Sequence, residues 1–225
     1  MKQKSRTEYS VMNTTVAFLA QTLAIFMGFF TRVVFTRTLS EGYVGINGLF
    51  TDILNILSLS ELGVGTAITY ALYTPIARRD IKKQQILMRM FRNFYRITAG
   101  FVLLAGLCLI PFLDILMKDR PDVNHLIIIY LLYLLNSVVS YLLIYKKTLV
   151  DAHQMNYITV MYHNGFLVLQ DILQIMVLFL TRNFILFLVI AVVCTIIGNI
   201  CMSRKADRLF PYLKEPCKEQ LPQEE

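Results

Sequence analysis

The sequence predicts an all-α, polytopic membrane protein: six transmembrane helices forming one lobe, with both termini on the inner side. Three observations predict it. Of the 225 residues 56% are hydrophobic and only 16% charged, whereas a soluble domain carries about 25% charged residues. The apolar residues fall in runs of about 20 or more, the length that crosses the ~30 Å hydrocarbon core of a bilayer. The basic residues, finally, gather in alternate connections between those runs.

Taken in order, the chain opens with a basic segment, residues 1–10, carrying Lys2, Lys4 and Arg6. The first span covers about 11–34. It is too long for a secretory signal and lacks a small-residue cleavage site, so no cleaved leader is expected. The second span covers about 49–73. RRDIKKQQILMRMFRNFYR follows, the most basic stretch of the chain. Leu87, Met90, Phe91 and Phe94 recur there at helical spacing, with Lys82, Lys83, Arg89, Arg92 and Arg96 as the basic complement. Such a helix either lies in the headgroup layer or extends the third span, about 97–117, into water. The fourth, fifth and sixth spans cover about 125–145, 157–180 and 184–202, and residues 209–225 read as a polar tail or linker with three prolines.

Six crossings place Arg37, Lys118, Arg120 and Arg182 outside and Arg32 within a span. Every other Lys and Arg then falls inside, an asymmetry that supports the N-in, C-in assignment. The net charge of +7 therefore reflects topology rather than a phosphate-tracking face, which excludes nucleic acid as a partner. Cys108, Cys194 and Cys201 sit in apolar runs and Cys217 in the tail, with no C-x-x-C pair, so metal and redox chemistry are not expected. His125 and His153 lie at span ends and His163 alone near the start of the fifth. No nucleophile–base or metal-ligand spacing is present, and the chain is not expected to be an enzyme.

Charge inside the bilayer is the functional signal, because an ionisable group at the centre of a span costs about 2.5–3.5 kcal/mol on insertion scales. Arg32, Asp52, Glu61 and Asp171 are the candidates, with Asp114 near the outer interface. Three helices carry polar stripes at helical spacing: Gln21, Gly28 and Arg32 on the first; Asn55, Ser58, Glu61, Gly65 and Thr69 on the second; Asn164, Asp171 and Gln174 on the fifth. Glu61 and Asp171 fall near the midplane at about 1.5 Å per residue. Arg32 lies about half a membrane from Glu61 in straight helices, so pairing them requires a deeper first helix or a bend at Gly63 and Gly65. Each group also has a plainer reading: Glu61 as a hydrogen-bonded acid joining helices, Arg32 as a side chain snorkelling to headgroups, and the glycines as close packing.

The run YVGINGLFTDILNILSLSELGVGTAITYALYTPIARRD resembles the second-helix region of bacterial polysaccharide repeat-unit flippases, members of the multidrug/oligosaccharidyl-lipid/polysaccharide exporter superfamily. LLIYKKTLVDAHQMNYI resembles the loop between their fourth and fifth helices. LQIMVLFLTRNFILFLVI, Gly198–Asn199 and KADRLFPYL resemble the fifth helix, the sixth helix and its exit. The resemblance implies a plasma-membrane flippase that moves undecaprenyl-diphosphate-linked oligosaccharides for cell-envelope polysaccharide biosynthesis. It implies alternating access around a cationic cavity, with roles for a first-helix arginine and a second-helix glutamate that fall by position on Arg32 and Glu61. A coupling proton or sodium ion is the one small cofactor it suggests. Asp171 matches nothing in the family pattern. Family members have twelve or more spans in two lobes, so six spans are expected to be an N-terminal half. Its partner would be a second lobe, a separate half or a second copy of itself. A drug or another lipid as substrate, and a non-transporting membrane interaction protein, are the alternatives.

Overall fold

The computed structural model of the chain describes residues 6–58, 64–117, 123 and 125–214. Among them the regular structure is helical: α1 (Arg6–Thr38), α2 (Glu41–Ser58), α3 (Val64–Ala77), α4 (Ile81–Leu109), the short α5 (Leu113–Leu116), α6 (Leu126–Tyr141), α7 (Ile144–Ala152), α8 (Asn156–Thr181) and α9 (Phe184–Leu209). Single 3-10 turns follow α4 and α9. Five stretches are long and apolar enough to cross a membrane: Val11–Thr38, Ile81–Phe112, Leu126–Ala152, Asn156–Thr181 and Phe184–Leu209. The expected second span falls on α2 and α3 together, and residues 59–63 between them, with Glu61 and Gly63, lie outside the described residues.

Local chemistry sets the helix ends. Pro75 lies inside the last turn of α3, where its missing N–H removes one backbone bond, and Asp80 N–H bonds its carbonyl at 2.9 Å. Arg79 takes the left-handed conformation that closes helices (φ 55). The Asp80 carboxylate then caps α4 by accepting from Lys83 N–H at 2.9 Å. At the opposite end Arg182 closes α8 with φ 50, and the Asn183 side chain accepts from the first amides of α9. The stretch Leu126–Ala152 is broken. After Tyr141 the chain turns extended at Leu142 and left-handed at Leu143 (φ 69), and α7 restarts from there.

The helices follow one another around a bundle in which α1 lies along α8, α8 along α9, α9 along α6, and α6 along α4. α2 packs on α6 and α4, and α7 fits among α3, α4, α8 and α9. Contacts define two ends. At the basic end the α3–α4 turn, the α7–α8 turn and the close of α9 meet. There the His153 ring packs against Phe210 at a tilt of 46°, with ring centroids 4.3 Å apart, and buried Gln84 donates to the Pro75 carbonyl while accepting from the Tyr212 hydroxyl. Burial pushes that phenol up to about 12. At the far end Phe35, Tyr43, Tyr133, Phe184 and Phe187 form one aromatic cluster. Phe50 stacks edge-on to Tyr130 beneath it. Such aromatic pairs contribute about 0.5–1.5 kcal/mol beyond their burial.

Several expected boundaries move. The basic stretch forms the first turns of α4 rather than a separate surface helix, since nothing between Ile81 and Leu109 breaks the backbone hydrogen bonds. Its buried face is Gln84, Leu87, Met88, Phe91 and Tyr95, whereas Met90 is exposed. Contact with α3 and α6 selected that register; hydrophobicity alone allowed either. α9 likewise continues past Met202 to Leu209, carrying its basic residues as a helical extension.

Candidate functional site

The α1–α8 seam gathers several polar residues of two helices long and apolar enough to cross a membrane. Both helices start at the basic end and run parallel, so their stripes meet in register. Asn13 donates to the Gln154 carbonyl at 3.0 Å and accepts from Tyr157 N–H at 2.8 Å. Two turns on, buried Asn164 donates to Gln21 at 3.3 Å. Further along, Thr31 donates to the Asp171 carboxylate at 3.0 Å. Gln174, 3% exposed, donates to the Phe187 carbonyl at 3.0 Å and so ties α8 to α9. Gln21, Asp171 and Gln174 are thus engaged in helix–helix hydrogen bonds, the plainer of the roles open to intramembrane polar groups.

Arg32 stands apart. It is exposed, one turn from Phe35, with its guanidinium carbon 5.7 Å from the Phe35 ring centroid. Its charge is also felt at Tyr133, whose hydroxyl donates to the Asn47 side chain of α2. Arg32, Tyr133 and Asn47 therefore make a polar corner beside the aromatic cluster, joining α1, α6 and α2. Tyr133 and Asn47 carried no signal in the sequence, because an aromatic and an amide in an apolar run look like core filler until a third helix brings a cation beside them.

The remaining candidates disperse. Asp52 and Asn55 are exposed on α2, and the side chain of Ser58 lies outside the described residues. Thr69 donates to the carbonyl of Gly65 one turn back, at 2.9 Å, which satisfies its hydroxyl locally. A Cβ on Gly65 would meet the Tyr95 hydroxyl at 3.5 Å, an ordinary contact. The tight glycine is Gly106, where a Cβ would come within 2.3 Å of the Leu134 side chain. Its carbonyl accepts from the Tyr130 hydroxyl at 2.8 Å, so α4 and α6 close on each other there. Lys82, Lys83 and Arg89 occupy the first turns of α4. Arg92 is half-buried and Arg96 exposed further along the same helix. Among the described residues no His, Cys, Asp or Glu group could hold a metal ion.

No family model, curated protein or solved structure shows a significant match to the chain.

Proposed function

We propose that the chain is one lobe of a plasma-membrane flippase for lipid-linked oligosaccharides, crossing the bilayer six times with α2 and α3 together forming the second crossing. The observation that carries this reading is the exposure of Arg32 on α1, a helix long and apolar enough to cross a membrane, and of Asp52 and Asn55 on α2. Hydrocarbon does not solvate such groups, so they call for a water-filled cavity or a further protein wall. A second lobe, a separate half or a second copy of this chain supplies that wall. The resemblance of residues 43–80 to the flippase second-helix region supports the substrate class. Arg32 suits a lipid diphosphate, because a guanidinium makes charge-assisted, bidentate bonds to phosphate oxygens. Glu61, on the same reading, binds the coupling cation or orients the arginine.

The test is transport. Proteoliposomes holding the chain together with a six-span partner half are expected to move a fluorescent undecaprenyl-diphosphate oligosaccharide between leaflets. Arg32→Gln is expected to abolish that movement while leaving assembly intact. Unchanged transport by Arg32→Gln and Glu61→Gln would remove both from the mechanism. Stable capture of a glycosyltransferase or polymerase with no transport would favour the interaction-protein alternative, and uptake of fluorescent drug cations would favour a different substrate.

A further inference from the structure

A groove opens between α4, the α6–α7 break and α9, and nothing in the proposed transport role uses it. It encloses about 460 Å³ and is lined by Arg92, Tyr95 and Arg96 from α4, by Val139, Tyr141, Leu142, Leu143 and Tyr145 around the break, and by Ile196, Asn199 and Ile200 from α9. Most of this wall is apolar, and the cations stand together on one side. Arg92 acts on the Tyr145 hydroxyl by hydrogen bond and by charge, and Arg96 acts on it by charge. The Arg92 Nε is buried and makes no hydrogen bond, and an unmet buried donor is unfavourable. Asp207, the carboxylate whose charge reaches Tyr145, is already engaged: Lys146 Nζ holds both its oxygens, at 2.7 and 2.8 Å, and also donates to Ser203 at 2.8 Å. The local charge left over is therefore positive.

Depth identifies what could meet that charge. The helical stretch Ile81–Phe112 is 32 residues, about 48 Å at 1.5 Å per residue, whereas the hydrocarbon core is about 30 Å thick. With Phe112 set at the far edge of the hydrocarbon, counting about 30 Å back reaches Arg92, with Arg96 one turn nearer the centre. The two arginines thus stand at the headgroup boundary of the leaflet at the basic end, and the apolar wall continues from them into the hydrocarbon. The break at Leu142–Leu143 makes the room, and α7 starts there, so its first amides add positive partial charge. Asn199 donates to the Val139 carbonyl at 2.9 Å and keeps the broken backbone satisfied.

We infer that this groove binds an acidic phospholipid, with the headgroup phosphate on Arg92 and Arg96 and an acyl chain along Val139, Leu142 and Ile196. Basic pockets between membrane helices bind anionic headgroups for the same electrostatic reason. The site is independent of the transported substrate, and it places a lipid where the stretch Leu126–Ala152 is broken.

The experiment is native mass spectrometry of the full chain released from nanodiscs of phosphatidylcholine with or without phosphatidylglycerol. One phosphatidylglycerol is expected to remain bound. Arg92→Gln and Arg96→Gln are each expected to lower its retention about fivefold, the weight of one basic side chain at an anionic surface. Arg78→Gln, on the exposed α3–α4 turn, is expected to change nothing. Arg92→Lys keeps the charge and is expected to retain the lipid. Should Arg92→Gln not fold, exposed Arg96 carries the test. Equal retention of phosphatidylcholine would overturn the inference, as would equal losses with Arg78→Gln, which indicate diffuse attraction only. Displacement by millimolar inorganic phosphate would reassign the groove to a soluble anion, and a lipid-free dimer protecting it would reassign it to a second copy of this chain.

Discussion

The α1–α8 seam and the α4–α6–α9 groove are built from similar materials and reach opposite outcomes. Both place polar side chains at membrane depth. In the seam two unbroken helices run parallel, so Asn13, Gln21 and Thr31 meet Tyr157, Asn164 and Asp171 in register, and each finds a partner. In the groove, α4 and α6 close at Gly106 and Leu134, but the break at Leu142–Leu143 stops that contact before the basic end. The cations of α4 are left facing a cavity. In this pair of regions the unbroken seam uses up its polar groups in pairs, whereas the interruption beside α4 leaves its cations available by making space next to them.

Three further experiments test this contrast, from the largest effect to the smallest. Lys146→Met removes the partner of Asp207 at the edge of the groove, where the two side chains are 14% and 20% exposed. A loss of about 1.5–3 kcal/mol is expected, the size of a hydrogen bond to a charged group. Denaturant unfolding in detergent measures it, and Lys146→Met with Asp207→Leu is expected to recover most of it, since the cost lies in leaving one charge unpaired. A single variant as stable as the parent would mean that the pair anchors nothing. In the seam, a double-mutant cycle on Gln21→Leu and Asn164→Leu is expected to return a coupling of only about 0.6 kcal/mol, the average for hydrogen bonds between membrane helices. A coupling as large as the Lys146 effect would erase the distinction between the two regions.

The smallest effect lies where the regions meet. His153, in the turn before α8, bonds the Leu149 carbonyl at 3.1 Å and packs against Phe210 at the end of α9. Burial holds its pKa below the ordinary histidine value, and the bond to Leu149 opposes that only in part. The folded state therefore binds fewer protons than the unfolded state, so stability rises with pH in that range and falls on acidification below about pH 6.5. Thermal melting is expected to drop between about pH 7.5 and pH 5.5. His153→Phe, which keeps the ring contact, is expected to flatten that drop; an unchanged pH profile would place the titrating group elsewhere.

Membrane class and the fifth and sixth helices were legible because they follow from apolar run length. The α8 stripe of Asn164, Asp171 and Gln174 was legible as a stripe, since helical spacing alone defines a face. Its destination was not. Whether a polar face meets another helix or a cavity depends on which helix lies beside it, and Asn164 lies beside α1, more than a hundred residues away in sequence. The break at Leu142 was also illegible. YLLIYK contains neither Gly nor Pro, and its left-handed Leu143 is imposed by packing rather than by local preference.

By itself, then, the sequence determined a helical membrane bundle and the faces on which its polar residues lie. These depend on hydrophobicity and spacing, both local properties of the chain. Only the tertiary structure decided which faces were consumed and which stayed open. Satisfaction of a polar group in a low-dielectric medium is a property of its neighbours, and those neighbours are set by packing across the whole bundle.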